Sequence, residues 1–340
     1  CMQVEDFLDP YLGQSWGSLG ATVQRDGDRI TVGLGYPARG IQADAAERLA
    51  EFLGLPTVDL ALTFKSDAPP AFEQVKHLVL IASGKGGVGK STSAINLALG
   101  LAAEGANVGL LDADIYGPSQ GMMLGIEEGR RPEIVDGKYF EPVSAHGLKA
   151  MSMSLMTTDK TPMIWRGPMA SGALQQILGQ TLWGELDYLI VDMPPGTGDI
   201  QLTLAQQAPC SGAVIVTTPQ DIALLDARKG VGMFAKVDIP VLGILENMSV
   251  HQCESCGHVS HPFGDGGGQQ VAEELGVPLL GQLPLSLSLR EQSDGGSPMV
   301  SSDPESLISG QYRDAARHLA ARLWAAQDTD PGPSISMVED

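Results

Sequence analysis

The sequence predicts an α/β fold, a doubly wound and mostly parallel sheet, preceded by a small α+β domain. Three observations carry this. Short apolar runs recur at 78–82, 108–111, 188–191, 213–217, 241–245 and 278–280. They are continuous rather than alternating, as in strands buried on both faces. Helical patterns lie between them, at 91–104, 172–178, 225–235 and 269–275, so strand and helix alternate as in a wound sheet. The first apolar run leads directly into a glycine-rich loop and then a helix, and ligands of such sheets sit at the carboxyl ends of the strands.

The chain has 340 residues, enough for one large and one small domain. Residues 1–65 read as the small α+β module. The stretch 22–32 alternates around Asp26-Gly27, a hairpin signal, and 41–53 has the spacing of an amphipathic helix. The chain opens on Cys1 rather than Met, so this module is expected to be truncated at its start. Residues 66–75, with Pro69-Pro70, read as a linker. The large domain follows over 76–326 and closes on a helix at 312–326. The acidic tail 327–340 is expected to be disordered.

Net charge is −20, from 41 acidic and 21 basic residues. Nucleic acids and anionic membrane surfaces are both bound through Lys and Arg, so neither is an expected partner. The sequence has no uninterrupted apolar stretch long enough to span a bilayer and no charged-then-apolar leader. A cytoplasmic protein is expected. Four cysteines are too few for a disulfide scaffold.

Gly84-Lys85-Gly86-Gly87-Val88-Gly89-Lys90-Ser91 fills the template G-x-x-x-x-G-K-[ST] between a strand and a helix. Glycines let backbone N–H groups turn inward around an anion, and the following helix aims its positive end at the same point. Residues Gly84 through Thr92 are therefore the nucleotide-phosphate candidates, with Lys90 on the phosphates and Ser91 on Mg²⁺. Two strands end in carboxylates, at Asp112-Ala113-Asp114 and at Asp192. An apolar strand ending in Asp downstream of such a loop is the pattern of a magnesium-side carboxylate, and Asp192 is the choice. Asn247 follows another strand end; its amide offers a donor and an acceptor to an adenine edge.

Cys253-Glu254-Ser255-Cys256-Gly257 lies beyond that strand. Two intervening residues let both sulfurs face one metal. Zinc wants four ligands, and His251, His258 and His261 are near in sequence. A [4Fe–4S] cluster wants four thiolates, which one chain lacks here and two symmetric chains would supply. A redox disulfide fits poorly, because a polar loop follows rather than a helix. By spacing alone zinc stands ahead of the cluster.

The run from Lys85 to Lys90 resembles the deviant P-loop of the MinD/ParA/nitrogenase-iron-protein class. Asp112-Ala113-Asp114-Ile115-Tyr116-Gly117-Pro118-Ser119 resembles its switch I, and Asp192-Met193-Pro194-Pro195-Gly196-Thr197-Gly198-Asp199 its switch II. With Glu246-Asn247-Met248 and the cysteine pair, residues of about 75–325 resemble the Mrp/ApbC (Nbp35-like) iron–sulfur carrier ATPases. The resemblance implies an ATP-dependent homodimer that hydrolyses ATP and passes a [4Fe–4S] cluster to apo iron–sulfur proteins, in contact with a cluster assembly scaffold. It implies that Lys85, Lys90 and Asp114 act in catalysis, Lys85 crossing to the partner's nucleotide and Asp114 orienting water, that the loop at Pro284 packs on the base, and that Cys253 and Cys256 hold the cluster. The rival readings are a MinD/ParA-type positioning ATPase, which leaves the cysteine pair without a purpose, and a scaffold stapled by zinc.

Overall fold

The computed structural model describes residues 3–27, 29–115, 117–156, 167–207, 209–253 and 255–327. The expected disordered tail beyond Gln327 and Asp28 of the expected hairpin lie outside the described residues. The chain forms two compact units, one of residues up to Ala68 together with those from Arg317, the other of Pro69–Ala316.

In the first unit β1 (Thr22–Asp26) and β2 (Arg29–Leu34) pair antiparallel, with Val23 opposite Val32. Helix α1 (Gln42–Leu53) ends at Gly54, whose left-handed φ of 68° closes the last turn. Strand β3 (Asp59–Phe64) then pairs parallel to β2. Trp16, Ile30, Val32, Leu34, Tyr36 and Leu49 form the interior. Asp9 is buried with them, accepting from the Tyr36 hydroxyl at 2.7 Å and the Trp16 indole at 3.3 Å.

The second unit runs β4 (Val75–Ala82), α2 (Lys90–Ala103), β5 (Val108–Asp112), α3 (Gln120–Met123), β6 (Ile134–Val135), β7 (Tyr139–Phe140), β8 (Val143–Ala145), β9 (Leu148–Ser152), α4 (Met153–Met156), α5 (Gly167–Gln180), β10 (Leu186–Asp192), α6 (Asp199–Gln207), β11 (Gly212–Thr217), α7 (Asp221–Ala235), β12 (Val241–Glu246), β13 (His251–Gln252), β14 (Val259–Ser260), α8 (Gly267–Leu275), β15 (Leu279–Gln282), α9 (Leu287–Asp294), α10 (Met299–Ser302) and the start of α11 (Leu307–Gln327). Its large sheet has the order β15-β12-β11-β4-β10-β5-β9-β8, parallel throughout except β8 against β9. The apolar runs account for the six strands from β15 at one edge to β5; β9 and β8 complete the other edge. Leu78, Leu80, Leu111, Leu189, Ile215 and Ile244 are wholly buried between the helical layers. Each such side chain contributes about 1.5–3 kcal/mol of burial.

The sequence assigns the whole closing helix to the large domain. The structure divides it at Arg317. From that residue on its side chains serve the first unit: Arg317 Nε donates to the Tyr11 hydroxyl at 2.6 Å, and the Trp324 ring lies 5.7 Å from that of Tyr36.

Because the strands are parallel, β4, β5, β10 and β12 all deliver their carboxyl ends to one edge. The register places Asp192 beside both Ile81 and Asp112. The candidate site lies along that edge.

Candidate functional site

The glycine loop leaves β4 at Ser83. The Ser83 hydroxyl donates to the Lys85 carbonyl at 2.9 Å, which begins the turn. Gly87 and Gly89 both sit at φ 82°, the left-handed region a side chain disfavours. At Gly89 there is also no room, since an added Cβ would lie 2.1 Å from Asn247 Nδ2. Gly84 is as tightly placed, its Cβ position 2.4 Å from the Asp226 carbonyl oxygen. Lys85 is half-buried and makes no ion pair among the described residues. The loop passes into α2 at Lys90, so the helix amino terminus faces the loop's interior.

Lys90 and Asp192 form a buried ion pair, with side chains 6% and 0% exposed. The Lys90 ammonium also reaches Ser91 Oγ at 3.3 Å. Gln120, at the start of α3, donates through Nε2 to Asp192 Oδ2 and to the Ser91 carbonyl, each at 2.9 Å. Its Oε1 is buried without a hydrogen-bond partner among the described residues. Serine hydroxyl, carboxylate and amide carbonyl are hard oxygen donors, the kind that magnesium takes. The residues present therefore fit a nucleotide phosphate with its cation.

Asp112 is the keystone of the turn that follows β5. Its carboxylate accepts from the backbone N–H of Asp114, Ser119 and Gln120 and from the Ser152 hydroxyl, at 3.0–3.1 Å. Burial, with the charge of Asp192 adding to it, pushes the Asp112 carboxyl well above the usual carboxylate range, against the pull of those donors. Asp114 is buried as well, and its Oδ1 accepts from Gly117 N at 3.2 Å. The turn after β10 is tied to the glycine loop, Gly196 N donating to the Ser83 carbonyl at 2.8 Å.

At the end of β12, Asn247 donates through Nδ2 to the Val88 carbonyl at 2.9 Å, bracing the glycine loop from behind. Its Oδ1 is buried with no hydrogen-bond partner among the described residues. The sequence offers both donor and acceptor of this amide to an adenine. In the structure one of the two N–H donors of that amide is engaged by the Val88 carbonyl. The Pro284 loop is stitched to the same segment: Leu283 N to the Glu246 carbonyl, Ser249 N to the Leu283 carbonyl and Leu285 N to the Val250 carbonyl, at 2.7–2.9 Å.

The cysteines occupy a hairpin rooted in that segment. Strands β13 and β14 pair antiparallel, His251 opposite Ser260. Between them Cys253 N donates to the His258 carbonyl and Gly257 N to the Cys253 carbonyl, at 2.9 and 2.8 Å. Gly257 takes φ 71° to allow this turn. Cys256 is exposed and Cys253 half-buried, and they are not joined in a disulfide. Among the described residues no three His, Cys, Asp or Glu side chains converge as a metal site. Of the nearby histidines, His251 lies in β13 and His261 turns Nδ1 to the Ser249 carbonyl at 3.1 Å.

A family model described as ParA, NUBPL iron-transfer P-loop NTPase, matches residues 74–320. The chain belongs to this NUBPL iron-transfer P-loop NTPase family. It is 63% identical over 247 residues to the iron-sulfur cluster carrier protein of Pseudomonas fragi, covering 73% of this chain and 86% of that one. It is 49% identical over 258 residues to the iron-sulfur cluster transfer protein NUBPL of Mus musculus, covering 75% and 80%. Among solved structures it resembles the nucleotide-binding protein of Archaeoglobus fulgidus in complex with ADP, at 36% identity and TM-score 0.60, over 68% of this chain and 90% of that one.

In this NUBPL-family NTPase the structure brings Gly84–Thr92, Asp114, Asp192 and Asn247 to one sheet edge. Pro284 and the cysteine hairpin attach to that edge through the segment after β12. Two residues escape the sequence reading: Asp112, visible as a strand-end carboxylate but not chosen, and Gln120, a lone amide after Pro118-Ser119 that carries no motif. No described helix is long and apolar enough to cross a membrane.

Proposed function

We propose that this chain is a cytoplasmic homodimeric ATPase that carries a [4Fe–4S] cluster between its two copies and delivers it to apo iron–sulfur proteins, receiving it from an assembly scaffold. The observation that carries the proposal is the placement of the thiol pair. Cys253 and Cys256 stand at the turn of a hairpin whose root is hydrogen-bonded to the loops around the nucleotide site. Two thiols are half the set a cluster requires, and a symmetric second copy brings the other half. The names of the relatives in Pseudomonas fragi and Mus musculus support cluster carriage.

Within each copy the loop amides and Lys90 hold the phosphates of ATP. Ser91 and Asp192 hold its magnesium, with Gln120 bracing both. Bound magnesium neutralises charge on the phosphate oxygens. Lys90 then exchanges the Asp192 carboxylate for a phosphate, so that neither buried charge loses its partner. Asp114 orients the attacking water, Asn247 and Pro284 hold the base, and Lys85, which has no ion pair in its own chain among the described residues, reaches the partner's phosphates.

The test is anaerobic reconstitution with iron and sulfide, read by visible absorbance. The expected protein is brown, and Cys253→Ser and Cys256→Ser are colourless. A wild-type protein that stays colourless and holds one zinc per chain would overturn the proposal.

A further inference from the structure

Glu246, at the end of β12, is wholly buried, and the donors to its carboxylate are neutral. Oε1 accepts from the Ser249 hydroxyl and from Gln282 Nε2, both at 2.8 Å, and Oε2 accepts from Gly268 N at the start of α8. Gly268 has no space for a side chain there, its Cβ position being 2.6 Å from Oε2. A buried carboxylate held by neutral donors is a poor way to stabilise a fold, because desolvation of the charge opposes what the hydrogen bonds contribute. What it does provide is a fixed geometry among three segments.

Those segments lead in two directions. Toward the nucleotide, Glu246 precedes Asn247, whose side chain holds the Val88 carbonyl of the glycine loop, and the Glu246 carbonyl receives Leu283 N beside Pro284. Toward the thiols, Ser249 lies at the first leg of the cysteine hairpin, and its carbonyl receives His261 Nδ1 from just beyond the second leg. Between Asn247 and Ser249 the chain bends through Met248 at φ 58°, a left-handed conformation that a methionine adopts only when its surroundings impose it.

We propose that Glu246 is the positioning residue that couples the nucleotide site to the cysteine hairpin. A shift of the glycine loop at Val88 moves Asn247. The carboxylate passes the movement to Ser249, and so to both legs of the hairpin that presents Cys253 and Cys256. This rests on the reading that ATP binds at the glycine loop and a cluster at the thiols.

The experiment uses reconstituted full-length protein and measures the rate at which bathophenanthroline sulfonate removes iron, with and without Mg·ATP. The wild type is expected to change rate by about fivefold or more, the lower end of ordinary coupling between sites. Glu246→Gln keeps the shape but presents an NH₂ to donors that need an acceptor. It is expected to bind a fluorescent ATP analogue and to take up the cluster, yet to show the same rate with and without nucleotide. Ser249→Ala removes one donor and leaves the carboxylate in place; its rate change is expected to fall by at least about half, and it decides the matter if Glu246→Gln does not fold. A full nucleotide effect in Glu246→Gln, or in Ser249→Ala where that variant decides, overturns the proposal, as does a wild type that binds both ligands without any nucleotide effect. A wild type that takes up no cluster or no nucleotide is the separate failure of the functional reading on which the proposal stands.

Discussion

The Lys90–Asp192 pair allows a quantitative prediction, because its two charges share one buried place with a second carboxylate. Replacing Lys90 by Met removes the cation and leaves Asp192, wholly buried, beside Asp112. Opposite unit charges about 4 Å apart gain about 4 kcal/mol at an effective dielectric of ~20. Removing one member of a buried pair costs about 3–5 kcal/mol, since the other stays charged and desolvated. The Lys76–Asp187 pair is the internal standard. Its contact distance is an ordinary 3.0 Å, but its side chains are 32% and 13% exposed, and such a pair contributes about 1 kcal/mol or less. Urea denaturation in nucleotide-free buffer with a magnesium chelator excludes stabilisation by ligand. Lys90→Met is expected to lose at least about 3 kcal/mol and Lys76→Met about 1 kcal/mol or less. Adding Asp192→Asn to Lys90→Met is expected to restore part of the loss, because the stranded charge is gone. If Lys90→Met proves no more harmful than Lys76→Met, the buried pair does not hold the site together and the reasoning fails.

Three further outcomes are expected. Gly89→Ala should weaken binding of a fluorescent ATP analogue at least about tenfold, or about 1.4 kcal/mol, since its Cβ meets Asn247 and its φ is 82°. Gly137→Ala, also left-handed at φ 67° but with nothing within 4 Å among the described residues, should bind as the wild type does. Burial pushes His77, which stacks on Tyr188, from 6.5 down to about 4, with Lys76 adding and Asp187 opposing. Its folded form stays neutral while the unfolded chain takes up a proton, so its contribution is intact above pH 6.5 and about 3 kcal/mol of stability is lost by pH 4; His77→Phe should flatten that part of a pH–stability curve. Burial also raises the Cys210 thiol to about 11, so iodoacetamide at pH 8 followed by peptide mass mapping should label exposed Cys256 well before Cys210.

The sheet was legible where strands are apolar and β-branched, as in Leu189-Ile190-Val191 and Ala213-Val214-Ile215-Val216. It was not legible at β9, where Leu148-Lys149-Ala150-Met151-Ser152 has no β-branched residue and becomes a strand through its register with β5. Strand β3 is not legible either, because Asp59-Leu60-Ala61-Leu62 reads equally well as helix, and its pairing with distant β2 decides it. The glycine loop and Asp192 were legible because backbone geometry and cation chemistry restrict residue choice at fixed spacing. Gln120 and Glu246 were not, because an amide or carboxylate acquires its role only from donors and acceptors that the fold brings from far along the chain. Gln120 meets Asp192 across 72 positions, and Glu246 meets Gln282 across 36.

The central claim is that each chain holds half of a cluster site. Native mass spectrometry of the anaerobically reconstituted protein, with iron counted per chain, tests it most directly. The account predicts about two irons per chain, found only in a species of two chains and lost together with that species in Cys256→Ser. Iron held by a single chain, or a single chain carrying zinc at Cys253 and Cys256, would contradict it.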